Sequence, residues 1–146
     1  IIEQPTDSKN VGDWPHLKGK HPDVVLIIDE GLGTSEDYEQ VSKFVDGVNI
    51  KMEKSGGILE AITIALKARE DQKKVMLGCM VASSIGIAQS VYMSSLADLI
   101  DLDGPQLLTD DIGRGIRYNR EQIEVDREII GGPTLIRDVI DKYISE

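Results

Sequence analysis

The sequence predicts an α/β protein in which parallel strands and helices alternate around a (β/α)8-type barrel. Two observations carry that expectation. Short runs of β-branched and apolar residues, continuous rather than alternating, are each followed by a stretch with helical periodicity. That is the pattern of strands covered on both faces and linked by crossover helices. A polar residue also closes nearly every run: Glu3, Asp29, Lys51, Cys79 and Asp101 stand 26, 22, 28 and 22 positions apart. A barrel uses roughly 30 residues per unit and places its chemistry where strands end and βα loops begin. An open doubly wound sheet shares the alternation.

Each element has its own signal. The opening residues IIEQP read as the end of a strand begun earlier, so the chain is expected to be cut from a longer one. VVLIIDE (24–30) is a strand, broken by Gly31 and Gly33. Thr34 or Ser35 then caps a helix whose apolar side is Tyr38, Val41, Phe44 and Val45. GVNIKM (47–52) is the next strand, and Ile58, Leu59, Ile62, Ala65 and Leu66 follow at helical spacing. KVMLGCM (74–80) precedes a helix through IGIAQSVYMSSLA (85–97), and DLIDLDGP (98–105) is a strand closed by Gly104-Pro105. Beyond it, GIRYNREQIEV (115–125) reads as a turn-and-strand excursion, and PTLIRDVIDKYI (133–144) as a final helix begun by Pro133.

At 146 residues the chain is the size of one domain and can bury a real core. Its net charge of −10 opposes nucleic acid and an anionic membrane surface, both of which need basic residues. No apolar run reaches membrane-spanning length. A single cysteine, Cys79, rules out an intrachain disulfide and fits a reducing, cytoplasmic setting.

The strand ends suggest chemistry. Glu3 and Asp29 on neighbouring strands repel each other unless a cation lies between them, and a hard divalent ion such as Mg²⁺ takes such oxygens. An ammonium beside that ion, Lys51, is expected to have lowered basicity and to act as an acid/base. The metal would stabilise the enolate formed when a proton α to a carboxylate is lost. Asp101 and Asp103 are two apart and would point the same way on a strand, able to clamp an ammonium. An Asp pair before Gly-Pro also suits a turn or a metal. Lys54 reads as a solvated loop charge, His16 and His21 as surface residues, and Cys79 as an inert thiol. Trp14 reads as packing against a helix, or as part of a loop at the mouth.

IIEQP, IIDE, VNIKMEKSGG, VMLGCM and IDLDGP, in this order, resemble the enolase superfamily, and within it the dipeptide epimerases of the L-Ala-D/L-Glu type. The resemblance runs from Ile1 to about Leu108. It implies the C-terminal half of the barrel, from the end of strand four to strand eight plus a C-terminal helix. It also implies Mg²⁺ held by Glu3 and Asp29, Lys51 as acid/base, and a dipeptide whose α-ammonium is bound by Asp101 and Asp103. The partner lysines, a third metal ligand and a capping domain would lie upstream. The residues given are thus expected to be inactive alone and, with open sheet edges, to associate as a homo-oligomer or to need the missing part of their own chain. Three departures bear on substrate preference: Ala82 where Cys-Met-x-Glu is common, Asp29-Glu30-Gly31 where Asp-Glu-Ser is frequent, and GGPTL where Pro-Gly-Leu-Gly is frequent.

The alternatives are another activity of the muconate-lactonising subgroup, cycloisomerase or o-succinylbenzoate synthase, and a catalytically silent structural segment. The Asp-x-Asp pair opposes the first two, since neither needs an ammonium clamp. GLGTSE (31–36) also resembles a dinucleotide fingerprint, but Glu36 and Asp37 in the first helical turn would repel a pyrophosphate.

Overall fold

A computed structural model describes residues 1–126 and 132–144. Five strands, β1 (Ile2–Glu3), β2 (Leu26–Ile28), β3 (Gly47–Lys51), β4 (Lys74–Gly78) and β5 (Leu99–Asp101), lie side by side in chain order, and every neighbouring pair is parallel. The sheet is the curled half of a (β/α) barrel. The strands are shorter than their apolar runs: Glu3, Lys51 and Asp101 close theirs as the last ladder residue, while Asp29 and Cys79 fall just beyond.

Helices α1 (Trp14–Lys20), α2 (Ser35–Val41), α3 (Met52–Ser55), α4 (Ile58–Glu70) and α5 (Ser84–Tyr92) occupy the crossovers. Thr34 starts α2 with a capping box: its hydroxyl accepts from Asp37 N, and the Asp37 carboxylate accepts from Thr34 N. The main core joins Leu26, Ile28, Val48, Ile50, Val75 and Leu77 of the strands to Trp14, Tyr38, Ile64 and three alanines of α4. Helix α4 turns its Ala61, Ile64, Ala65 and Ala68 inward, while Leu59 and Leu66 are exposed. The expected face is therefore rotated, since small residues let α4 lie close on the sheet. Trp14 is fully buried in that core and donates its indole N–H to Thr6 Oγ1 at 2.8 Å.

After β5 the pattern changes as expected. β7 (Ile116–Asn119) and β8 (Gln122–Val125) form an antiparallel hairpin whose Ile116 packs with Leu102 and Ile87. Two short strands, β6 (Gly113–Arg114) and β9 (Thr134–Leu135), also pair. The final helix does not begin at Pro133: α6 spans Arg137–Ile144, because β9 and the bond from Ile136 N to Ile112 O take the residues before it. The last two residues of the acidic tail lie outside the described residues, and no described helix is long and apolar enough to cross a membrane.

Gly47 sits where β3 crosses between β2 and β4. A Cβ there would stand 2.8 Å from the Lys74 carbonyl oxygen, a backbone atom that cannot turn away. Gly47→Ala should therefore destabilise the fold by about 1–3 kcal/mol. The check is a lower urea midpoint at unchanged m-value.

Candidate active site

Register and pleat place the chemistry. Glu3 is paired with Ile27, and Lys51, Gly78 and Asp101 form one row across β3, β4 and β5. Partners in a parallel row share a face, and residues two apart along a strand share it too. Val48 and Ile50 pack toward the helices. Gly47, Asn49 and Lys51 alternate with them and so take the opposite face, along with Glu3 and Asp101. All five residues expected to act, Glu3, Asp29, Lys51, Asp101 and Asp103, stand at the carboxyl ends of the strands.

Asp29 is the hub. One carboxylate oxygen accepts from Lys51 Nζ at 2.8 Å, and the other accepts from Lys54 Nζ, which also bonds the Asp29 carbonyl at 2.6 Å. Burial alone would raise the Asp29 carboxyl, but the two ammonium groups outweigh it and hold it below its ordinary value of 3.8. Lys51 moves the other way. Burial favours its neutral amine, yet the bond to Asp29 and the nearby Glu3 charge raise its pKa. Asp29 is thus Lys51's direct partner and favours its charged form, whereas the lowered basicity expected from sequence is that of a lysine beside a bound cation. Lys54 is likewise no solvated loop charge. It lies on α3, which begins directly after β3, so its ammonium folds back onto Asp29.

Two more residues escaped the sequence reading. Gln4 Oε1 accepts from Asp29 N at 2.9 Å and from Glu30 N at 3.0 Å, tying the end of β1 to the loop after β2. Asn49, buried in mid-strand, donates from Nδ2 to Glu3 Oε1 at 2.7 Å. A polar residue two positions before a strand-end lysine was the available signal.

The Asp pair meets by a different route from the one expected. β5 ends at Asp101; Leu102 turns into the core, and Asp103 has helical backbone angles and opens a short 3-10 turn. Both carboxylates nonetheless line one cleft of about 160 Å³, bordered by Tyr118 and Arg120 of the hairpin. Tyr118 donates its hydroxyl to the Leu102 carbonyl at 2.5 Å, holding the hairpin against that turn. Cys79 is half-buried, its thiol pushed up by burial, and its sulfur accepts from Gly104 N at 3.3 Å. His16 and His21 are exposed.

As a donor set, Glu3 and Asp29 offer hard carboxylate oxygens on adjacent strand ends, which suits Mg²⁺, an ion that often takes only one or two protein carboxylates. No group of three or more His, Cys, Asp or Glu side chains able to hold a metal occurs among the described residues.

Residues 1–128 match the family described as enolase C-terminal domain-like. The chain belongs to that family. It is 35% identical over 123 residues to an L-Ala-D/L-amino acid epimerase of Maribacter sp., covering 83% of this chain and 36% of that protein. It is 39% identical over 117 residues to a hydrophobic dipeptide epimerase of Roseobacter litoralis, covering 80% and 34%. Among solved structures, N-succinyl Arg/Lys racemase from Bacillus cereus superposes with a TM-score of 0.81 at 29% identity, covering 97% of this chain and 39% of that one. The chain thus spans little more than a third of the length of these enolase-superfamily relatives.

Lys54→Met should let the Asp29 carboxyl rise toward 3.8, as read by a ¹³C carboxyl titration. A depressed carboxyl contributes stability above its unfolded value, which is lost as pH falls through the folded one. The variant should therefore lose less stability than the parent on acidification over that window. An unmoved titration would leave Lys51 as the sole holder of Asp29.

Proposed function

We propose that these residues form one side of the active site of an isomerase that inverts a carbon α to a carboxylate in a dipeptide. One observation supports this reading most. Lys51 stands at the strand-end rim on the barrel-interior face, bonded to Asp29 and within the field of Glu3. Residues 1–146 would be the C-terminal portion of an enolase-superfamily barrel, its opposite side and capping domain supplied from upstream.

Glu3 and Asp29 would hold Mg²⁺. When bound, that ion supplies the positive charge that makes a proton α to a carboxylate removable. Lys51 would carry the proton at Nζ on one face of the reacting carbon, and its charged form, favoured by Asp29, is the proton-returning half of an acid/base pair. Lys54 and Gln4 would keep Asp29 and its loop in place. Asp101 and Asp103 would receive the dipeptide's α-ammonium in their shared cleft by charge-assisted hydrogen bonds.

A second reading is racemisation of an N-acylated amino acid, favoured by the fit to the N-succinyl Arg/Lys racemase over 97% of the chain. Such a substrate carries no α-ammonium, so an N-succinyl amino acid with an uncharged side chain tests whether the Asp pair is needed.

In the protein with its barrel complete, incubation in D₂O with Mg²⁺ and a set of L-Ala-L-Xaa dipeptides should place deuterium on the C-terminal residue's α-carbon, read by proton NMR. Lys51→Ala should slow epimerisation by about 10²–10⁴-fold; a wild-type rate would remove Lys51 from the chemistry. Asp101→Asn with Asp103→Asn should raise KM for dipeptides, and equal turnover by parent and variant of N-succinyl amino acids with uncharged side chains would fit that clamp. Preference of the parent for the N-succinyl substrates would decide for the second reading. Residues 1–146 expressed alone should show no turnover.

A further inference from the structure

Asn49 is an unusual occupant of the middle of a core strand. It is 2% exposed, on a five-residue strand whose first four residues are all buried, where stability alone would place an apolar side chain. Its Nδ2 donates to Glu3 Oε1 at 2.7 Å across the intervening β2. Its Oδ1 is the buried side-chain polar atom without a hydrogen-bond partner among the described residues. Those two facts fix the amide's orientation: turned over, it would set one acceptor against another.

The space for the amide is made by Gly78 on β4. A Cβ at that position would lie 2.5 Å from Asn49 Oδ1 and 2.7 Å from Nδ2. Gly78 stands in the same row as Lys51 and Asp101. A missing side chain on one strand therefore admits an amide on the next, and that amide reaches a carboxylate two strands away.

We propose that Asn49 is a positioning residue for the Glu3 carboxylate: it engages one oxygen and fixes the rotamer that turns the other toward a divalent cation. The proposal rests on the reading of Glu3 as a metal ligand and deepens it. Partners of this kind orient ligating carboxylates, and their loss typically weakens metal affinity about 10–100-fold. Asn49 is itself well placed for that role, because its strand neighbours Val48 and Ile50 are anchored in the core.

The test is a Mn²⁺ titration followed by electron paramagnetic resonance, with the protein whose barrel is complete. Asn49→Ala should weaken Mn²⁺ binding about 10–100-fold while the cation-free protein stays folded by circular dichroism. Asn49→Leu, which keeps the branching at Cγ and removes the donor, should behave alike and decides the matter if the alanine variant fails to fold. In a Glu3→Gln background, Asn49→Ala should change the Mn²⁺ affinity less than about twofold, as two residues acting through one contact require. A wild-type affinity in either folded variant, an equal loss with and without Glu3, or unfolding of both variants would overturn the proposal. If the parent protein and its Glu3→Gln variant bind Mn²⁺ equally, the assignment of Glu3 as a ligand fails first, and the role of Asn49 falls with it.

Discussion

Parallel pairing brings the carboxyl ends of five strands to one rim, and every chemical feature of this chain depends on that constraint. The rim gathers charges that would otherwise be scattered along about 100 residues of sequence. Carboxylates dominate it, as they dominate the whole chain at a net charge of −10. The two lysines that reach it do not spread among those acids; both settle on Asp29. Asp29 is also the carboxylate whose backbone is held by Gln4 from the neighbouring strand. Its position is thus set by β1, by β3 and by the turn of helix after β3.

That arrangement explains how β3 tolerates a lysine. A charge at a strand end costs little if a partner meets it before the barrel interior does. Lys51 keeps only 16% of its side-chain surface exposed, and Asp29 only 13%. Both are withdrawn from water far enough for their attraction to matter, which an exposed surface pair would not achieve. The same reasoning removes the dinucleotide reading of residues 31–36. The N–H groups at the start of α2 are taken by carboxylates: Asp37 accepts from Gly33 N and Thr34 N, and Glu60 of α4 accepts from Ser35 N at 2.5 Å. The amides that would greet a pyrophosphate are spent on carboxylates.

The strands were legible because parallel strands buried on both faces leave continuous apolar runs, and such runs do not depend on distant residues. The rim was legible for the same reason, since each polar residue that ended a run marked a strand end. What stayed hidden came from relations between elements. Lys54 looks like a loop charge until the turn after β3 folds it back over Asp29. Leu59 and Leu66 look like core positions until α4 settles on its alanines. Pro133 looks like a helix start until Thr134 and Leu135 find a partner strand. Asp101 and Asp103 were paired for a reason that the fold does not use, and they share a cleft through a turn instead of a pleat.

Glu3 shows most clearly how a local sequence underdetermines a site. Its hydrogen-bond partner is not on the neighbouring strand β2 but on β3, 46 residues further along the chain. A glutamate side chain meets the tolerance that metal ligation or proton transfer demands only when a partner locks its rotamer. The rigidity comes from β3, where Val48 and Ile50 anchor the strand in the core on one face while Asn49 and Lys51 reach toward the rim on the other. A single strand with alternating loyalties thus serves two carboxylates at once: Asn49 holds Glu3, and Lys51 holds Asp29. The apolar half of that alternation is what makes the polar half accurate, so the stability of the core and the geometry of the rim are properties of the same five residues.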